Sequence, residues 1–120
     1  LTLVTYGGIA QDVVDNIHAI FKKTDLIPEV IVLSLISPLD IIHVMESVNI
    51  TRRIVVVEEG SKEFGIGAEI IAQVIEQIDI EVITTGRVGA LSIPIPSSQS
   101  LENHVLPNTT IVDDIFNVVK

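Results

Sequence analysis

The feature that most constrains this chain is an alternation: short runs rich in Val and Ile take turns with stretches whose apolar residues recur every three to four positions. Residues 1–6 read as a strand stopped by Gly7-Gly8. After it, Ile9, Val13, Val14, Ile17, Ile20 and Phe21 trace one face of a helix ending at Lys22-Lys23. Residues 29–35 form a second apolar run of strand length. Ser37-Pro38-Leu39-Asp40 then predicts a helix start, with Ser37 as cap, Pro38 at the first helical position and Asp40 reaching back, and the helix runs to about Val48. Residues 53–58 give a third strand, closed by Glu59-Gly60 and the polar Ser61-Lys62-Glu63. Ile66, Ile70, Ile71, Val74, Ile75 and Ile78 mark the helix that follows. Residues 80–84 read as a fourth strand, residues 86–107 with Pro94, Pro96 and Pro107 as an ordered irregular crossing, and Thr110 with Asp113 opens a last helix through Val119.

Strands and helices alternating at these lengths imply a parallel sheet joined by right-handed crossovers, with helices on both faces. The expected fold class is therefore α/β, a three-layer α/β/α arrangement around a mainly parallel sheet, as one domain over residues 1–120. β-Branched residues suit strands covered on both sides, and 120 residues supply one core rather than two.

Hydrophobic residues make up 48% of the chain, charged residues 19%, and mean hydropathy is +0.58, which leaves apolar surface over for a partner. No apolar run approaches the roughly 18 residues of a membrane span, so a soluble chain with no membrane contact is expected. The formal net charge of −9 repels phosphate backbones and argues against nucleic acid, while it admits a basic protein partner. The absence of cysteine excludes a disulfide framework, a thiolate nucleophile and a thiolate metal site. An opening on a strand-like run instead of a signal peptide points to the cytoplasm or an equivalent compartment.

The sharpest chemical candidate is Glu58-Glu59-Gly60 at the carboxyl end of the third strand, followed by Gly65-Ile66-Gly67-Ala68-Glu69 at the start of a helix. Ligands of open parallel sheets favour that end, and Gly65 and Gly67 could admit a phosphate to the helix amides. A stand-alone nucleotide- or phosphometabolite-binding domain is accordingly the competing reading. Against it, Ile70 stands where a dinucleotide fingerprint needs a third glycine, and Glu58, Glu59 and Glu63 would repel a pyrophosphate. The glycines are expected to serve a tight turn and close packing of helix on sheet.

Glu58 and Glu59, adjacent on a strand, point to opposite faces and do not make an acid/base pair; solvated loop acids or interface contacts are expected. Asp113 and Asp114 read as helix-start charge or partner contacts. His18, His43 and His104 fall on separate elements without paired ligand spacing, and no serine lies in a Gly-x-Ser-x-Gly elbow. A phosphoreceiver reading fails on Gly7-Gly8 after the first strand and Glu58-Glu59 after the third. No residue is assigned a catalytic, cofactor-binding or metal-binding role.

One ordered set of segments nevertheless stands out: Thr2-Leu3-Val4-Thr5-Tyr6-Gly7, Glu29-Val30-Ile31-Val32-Leu33 leading into Ser37-Pro38-Leu39-Asp40, Arg53-Ile54-Val55-Val56-Val57-Glu58-Glu59-Gly60, Gly65-Ile66-Gly67-Ala68-Glu69-Ile70, and Pro94-Ile95-Pro96 with Leu101-Glu102. Together they resemble the transketolase carboxy-terminal domain, in the form found in beta subunits of pyruvate and branched-chain 2-oxo-acid dehydrogenases. Phe64 stands where that family usually has a second glycine, and Ser92 where it often has an acid.

The resemblance implies a fragment of a longer subunit whose parent decarboxylates a 2-oxo acid and passes the acyl unit to lipoamide, using thiamine diphosphate and a divalent metal. It implies that this domain binds no cofactor and carries no catalytic group. Its expected partners are the other domains of its subunit, an alpha subunit or second beta subunit, and an acyltransferase docking module, within an oligomer. The implied compartment is cytoplasm, or mitochondrial matrix or plastid in a eukaryote. A transketolase or deoxyxylulose-phosphate synthase origin would share the domain.

Overall fold

The computed structural model describes residues 1–82 and 84–120. Its strands β1 (Thr2–Thr5), β2 (Glu29–Val32), β3 (Arg53–Ser61) and β4 (Thr84–Ala90) lie in the order β2-β1-β3-β4, and every neighbouring pair is parallel. The helices are α1 (Ile9–Asp15), α2 (Ile17–Thr24), α3 (Ile42–Thr51), α4 (Ile66–Gln77), the short α5 (Gln99–Glu102) and α6 (Ile111–Val119). No helix among the described residues is long and apolar enough to cross a membrane.

The two-residue period of the strands sorts the side chains into two cores. Leu3, Val55 and Val57 join Ile9, Val13 and Ile20 of α1 and α2 and Ile111 and Ile115 of α6. On the other face Val4, Ile54 and Val56 join Val44 and Val48 of α3 and Ile70 and Val74 of α4. Each such Ile or Val contributes about 1.5–3 kcal/mol by leaving water, so the sheet is held from both sides. The α/β class, the parallel sheet and the three layers match the expectation.

Four local expectations change. The first helix is not continuous: it breaks at Asn16, whose side-chain amide donates to the Asp12 carbonyl at 2.8 Å. Such local bonding by Asn competes with the helix ladder. Ser37 does not cap a helix, because Ile36 bridges Leu39 and Ser37 lies in the tight turn between them. Asp40 instead turns its carboxyl onto the Ile42 N–H at 3.0 Å, and the helix begins there.

The fourth strand lies at Thr84–Ala90, in the stretch expected to be irregular, and of the residues expected as strand Ile83 falls outside those described. Gly86 and Gly89 look like breakers in the sequence, yet they are the points where Val118 of α6 and the backbone of Gly60 and Lys62 come closest to β4. Finally, β3 runs on beyond Glu58 to Ser61, so Glu59, Gly60 and Ser61 are strand rather than loop.

Candidate functional site

The sequence candidates converge at the carboxyl end of β1 and β3. Thr5 pairs with Val57, which brings Tyr6 beside Glu58. The strand order reverses at β1, so the crevice between β1 and β3 is the place where an open parallel sheet of this kind takes a ligand.

That crevice is filled by the chain itself. Glu58 is fully buried, contrary to the expectation of a solvated acid. Its carboxyl accepts the Tyr6 hydroxyl at 2.8 Å and the Gly67 N–H at 3.3 Å. It therefore occupies the amino end of α4, where unpaired amides and the helix dipole favour a negative group.

The glycines of the loop are explained by the same carboxyl. A Cβ at Gly67 would lie 2.7 Å from Glu58 Oε1 and 3.1 Å from Val56, and one at Gly65 would lie 2.6 Å from the Ser61 carbonyl. Gly65 and Gly67 make room for Glu58, and with it for α4 to pack on β3, where the competing reading placed a phosphate. Phe64 ahead of them keeps a left-handed backbone, φ +60°, the conformation a glycine would adopt there without strain.

Glu59 projects to the opposite face, as the strand period requires. It is exposed and lies against the start of α1, where a Cβ at Gly8 would be 2.8 Å from its Oε1. Two adjacent carboxyls thus lie at two helix starts on opposite faces of the sheet, Glu58 hydrogen-bonded to its helix and Glu59 only close to its own. Tyr6 carries the electrostatic consequence. Burial pushes its phenol well above the ordinary value of 10, and the hydrogen bond to Glu58 and the charges of Glu58 and Glu59 add to the shift.

The remaining candidates lie elsewhere. Glu69 is exposed on α4 and accepts the Gln73 amide at 2.8 Å. Asp113 forms an ion pair with Lys23, tying α6 to α2, and Asp114 accepts the Thr110 hydroxyl at 2.6 Å. His18, His43 and His104 are exposed and apart, and among the described residues no group of three or more His, Asp or Glu could hold a metal ion. Sequence reasoning gave Tyr6 no role; its position directly before Gly7, one residue past the Thr5–Val57 pair, is the signal that places it on Glu58.

Beyond the crevice one stretch leaves large apolar side chains in solvent. Residues 91–95 and 97–101 are exposed, and Leu91, Ile93, Ile95 and Leu101 each leave more than half of their surface in solvent, at 57%, 54%, 54% and 57%.

Residues 1–112 match the profile of the family described as the transketolase C-terminal domain. The chain is similar to the mitochondrial pyruvate dehydrogenase E1 component subunit beta of Saccharomyces cerevisiae, 33% identical over 122 residues that cover 99% of this chain and 33% of that protein. It is 35% identical to the corresponding subunit of Porphyra purpurea over 124 residues, covering 99% and 36%. With that of Pisum sativum it is 39% identical over 102 residues, covering 84% and 28%. The chain thus spans about a third of the length of these relatives. Among solved structures it shares the fold of a split-gene transketolase in an inactive beta4 tetramer, with a TM-score of 0.76, 19% identity, and coverage of 98% of this chain and 37% of that one. By sequence profile and by fold, the chain belongs to the transketolase C-terminal domain family.

Proposed function

We propose that this chain is the assembly and interaction domain at the carboxy-terminal end of a 2-oxo-acid dehydrogenase beta subunit, one domain of a longer protein. The observation that carries the reading is the apolar surface of Leu91, Ile93, Ile95 and Leu101, a run of large side chains facing solvent on a domain whose two cores are already complete. Relatives named as pyruvate dehydrogenase beta subunits support the parent enzyme. That parent would oxidatively decarboxylate a 2-oxo acid and transfer the acyl unit to lipoamide. The partners would be the other domains of the subunit, a second beta or an alpha subunit, and a basic docking module of the acyltransferase facing the net charge of −9. Relatives named as mitochondrial, and others from bacteria, support the mitochondrial matrix or the cytoplasm as the compartment.

Thiamine diphosphate, with its divalent metal, belongs to the parent enzyme and would supply the decarboxylation chemistry there. The residues of this chain do not fit it. The α4 amino end, which could face a diphosphate, already holds the Glu58 carboxyl. The domain's own share is to present apolar and acidic surface.

Sedimentation of the chain co-expressed with its partner subunits tests this. Replacing Ile93, Ile95 and Leu101 together by Ser is expected to dissociate the assembly while circular dichroism remains native. Assembly unchanged by the triple variant, or calorimetric binding of thiamine diphosphate to this chain alone, would sink the proposal.

A further inference from the structure

A groove of about 760 Å³ opens beside the end of β4, and it shares no lining residue with the filled crevice between β1 and β3. Val88, Leu91, Val105, Leu106, Pro107 and Val118 give it an apolar lining, and Lys62 and Arg87 stand in its wall.

The two cations are brought there by backbone. The Lys62 N–H donates to the Ala90 carbonyl at 3.1 Å, and the Arg87 guanidinium donates from Nη1 to the Lys62 carbonyl. Gly89 permits this seam, since a Cβ would meet the Gly60 carbonyl at 3.0 Å and the Lys62 backbone at 3.1 Å. One of the five N–H donors of Arg87 is thereby used to fix the plane of its fork. Among the described residues no carboxylate lies within ion-pair distance of Lys62 or Arg87. Asp114, which also lines the groove, takes the Thr110 hydroxyl.

An oriented guanidinium fork and an ammonium above an apolar lining match an anionic head carried on a short apolar body. The geometry points to a binding site in this groove for a small organic anion, a carboxylate or a phosphate monoester. The head would be held by Arg87 and Lys62 and the body by the Leu91 side of the groove. The groove shares Leu91 with the surface proposed for assembly, whereas Lys62 and Arg87 belong to the groove alone and tell the two readings apart.

Titration calorimetry of the full chain with hexanoate, phenyl phosphate and inorganic phosphate tests the inference. Saturable binding of hexanoate or phenyl phosphate at one site is expected, with inorganic phosphate weaker because it leaves the apolar lining unfilled. Arg87→Lys keeps the charge but loses the fork, and should weaken binding about tenfold. Lys62→Gln and Leu91→Ser change exposed side chains and should each weaken it severalfold while leaving the fold intact. They decide the matter if Arg87→Lys loosens the seam at the Lys62 carbonyl. No saturable heat with any of the three ions, or binding indifferent to both Lys62→Gln and Leu91→Ser, would overturn the site.

Discussion

At the scale of single residues, the chemistry of this domain is turned inward. Glu58 receives its two donors from Tyr6, just past β1, and from the start of α4, so it ties the end of a strand to a helix. Glu58→Gln keeps the shape but turns an amide NH₂ toward a group that also donates. The loss should be about 1–3 kcal/mol in a urea melt.

Tyr6 makes the same contact pH-dependent. Its phenol holds the proton more tightly in the folded chain than in the unfolded one, so its stabilisation is whole below the ordinary value of 10 and drains away as pH rises through the folded titration. Unfolding measured from pH 9 to pH 11 should show a steeper loss in the wild type than in Tyr6→Phe, on the basis of that upward shift. Phe64 offers the opposite case: it is fully exposed and sits at φ +60°. Phe64→Gly relieves the left-handed backbone without loss of packing, and should raise stability by up to about 1 kcal/mol in thermal unfolding.

At the scale of elements, burial and charge contribute unequally to how α6 is held. Ile115 is fully buried in the core that α6 shares with α2, β3 and β4, and Ile115→Ala should cost about 2–5 kcal/mol. The ion pair of Lys23 with Asp113 is largely exposed, at 40% and 66%, and Asp113→Asn should change stability by no more than about 1 kcal/mol. Chemical denaturation of the two variants side by side checks the contrast.

The elements legible in the sequence were those announced by an apolar period: β1, β3, α4 and α6 lie where Val and Ile spacing puts them. The misread ones turn on tertiary partners. β4 carries two glycines that weaken a strand taken alone, and only the closeness of α6 and the Lys62 backbone gives them a use. The start of α3 moved because Asp40, and not Ser37, finds an amide to accept from.

At the scale of the whole molecule, the proposed assembly role rests on two features, the net charge of −9 and the exposed apolar residues around 91–101. Contact with a basic module should weaken as salt rises toward 1 M, where screening shortens to about 3 Å, while contact through Ile93 and Ile95 should persist. Sedimentation across a salt series separates the two. What the sequence by itself determined is the parallel α/β sheet with helices on both faces, because strand and helix periods are local properties of the chain and survive any arrangement of neighbours. That Glu58 and Glu59 part to opposite faces was legible for the same reason. The fate of the crevice was decided only in three dimensions. The acids and glycines that looked like a loop proved to be a buried carboxyl and the space made for it, because the amino end of α4 and the Tyr6 hydroxyl meet Glu58 from positions nine and fifty-two residues away in the chain.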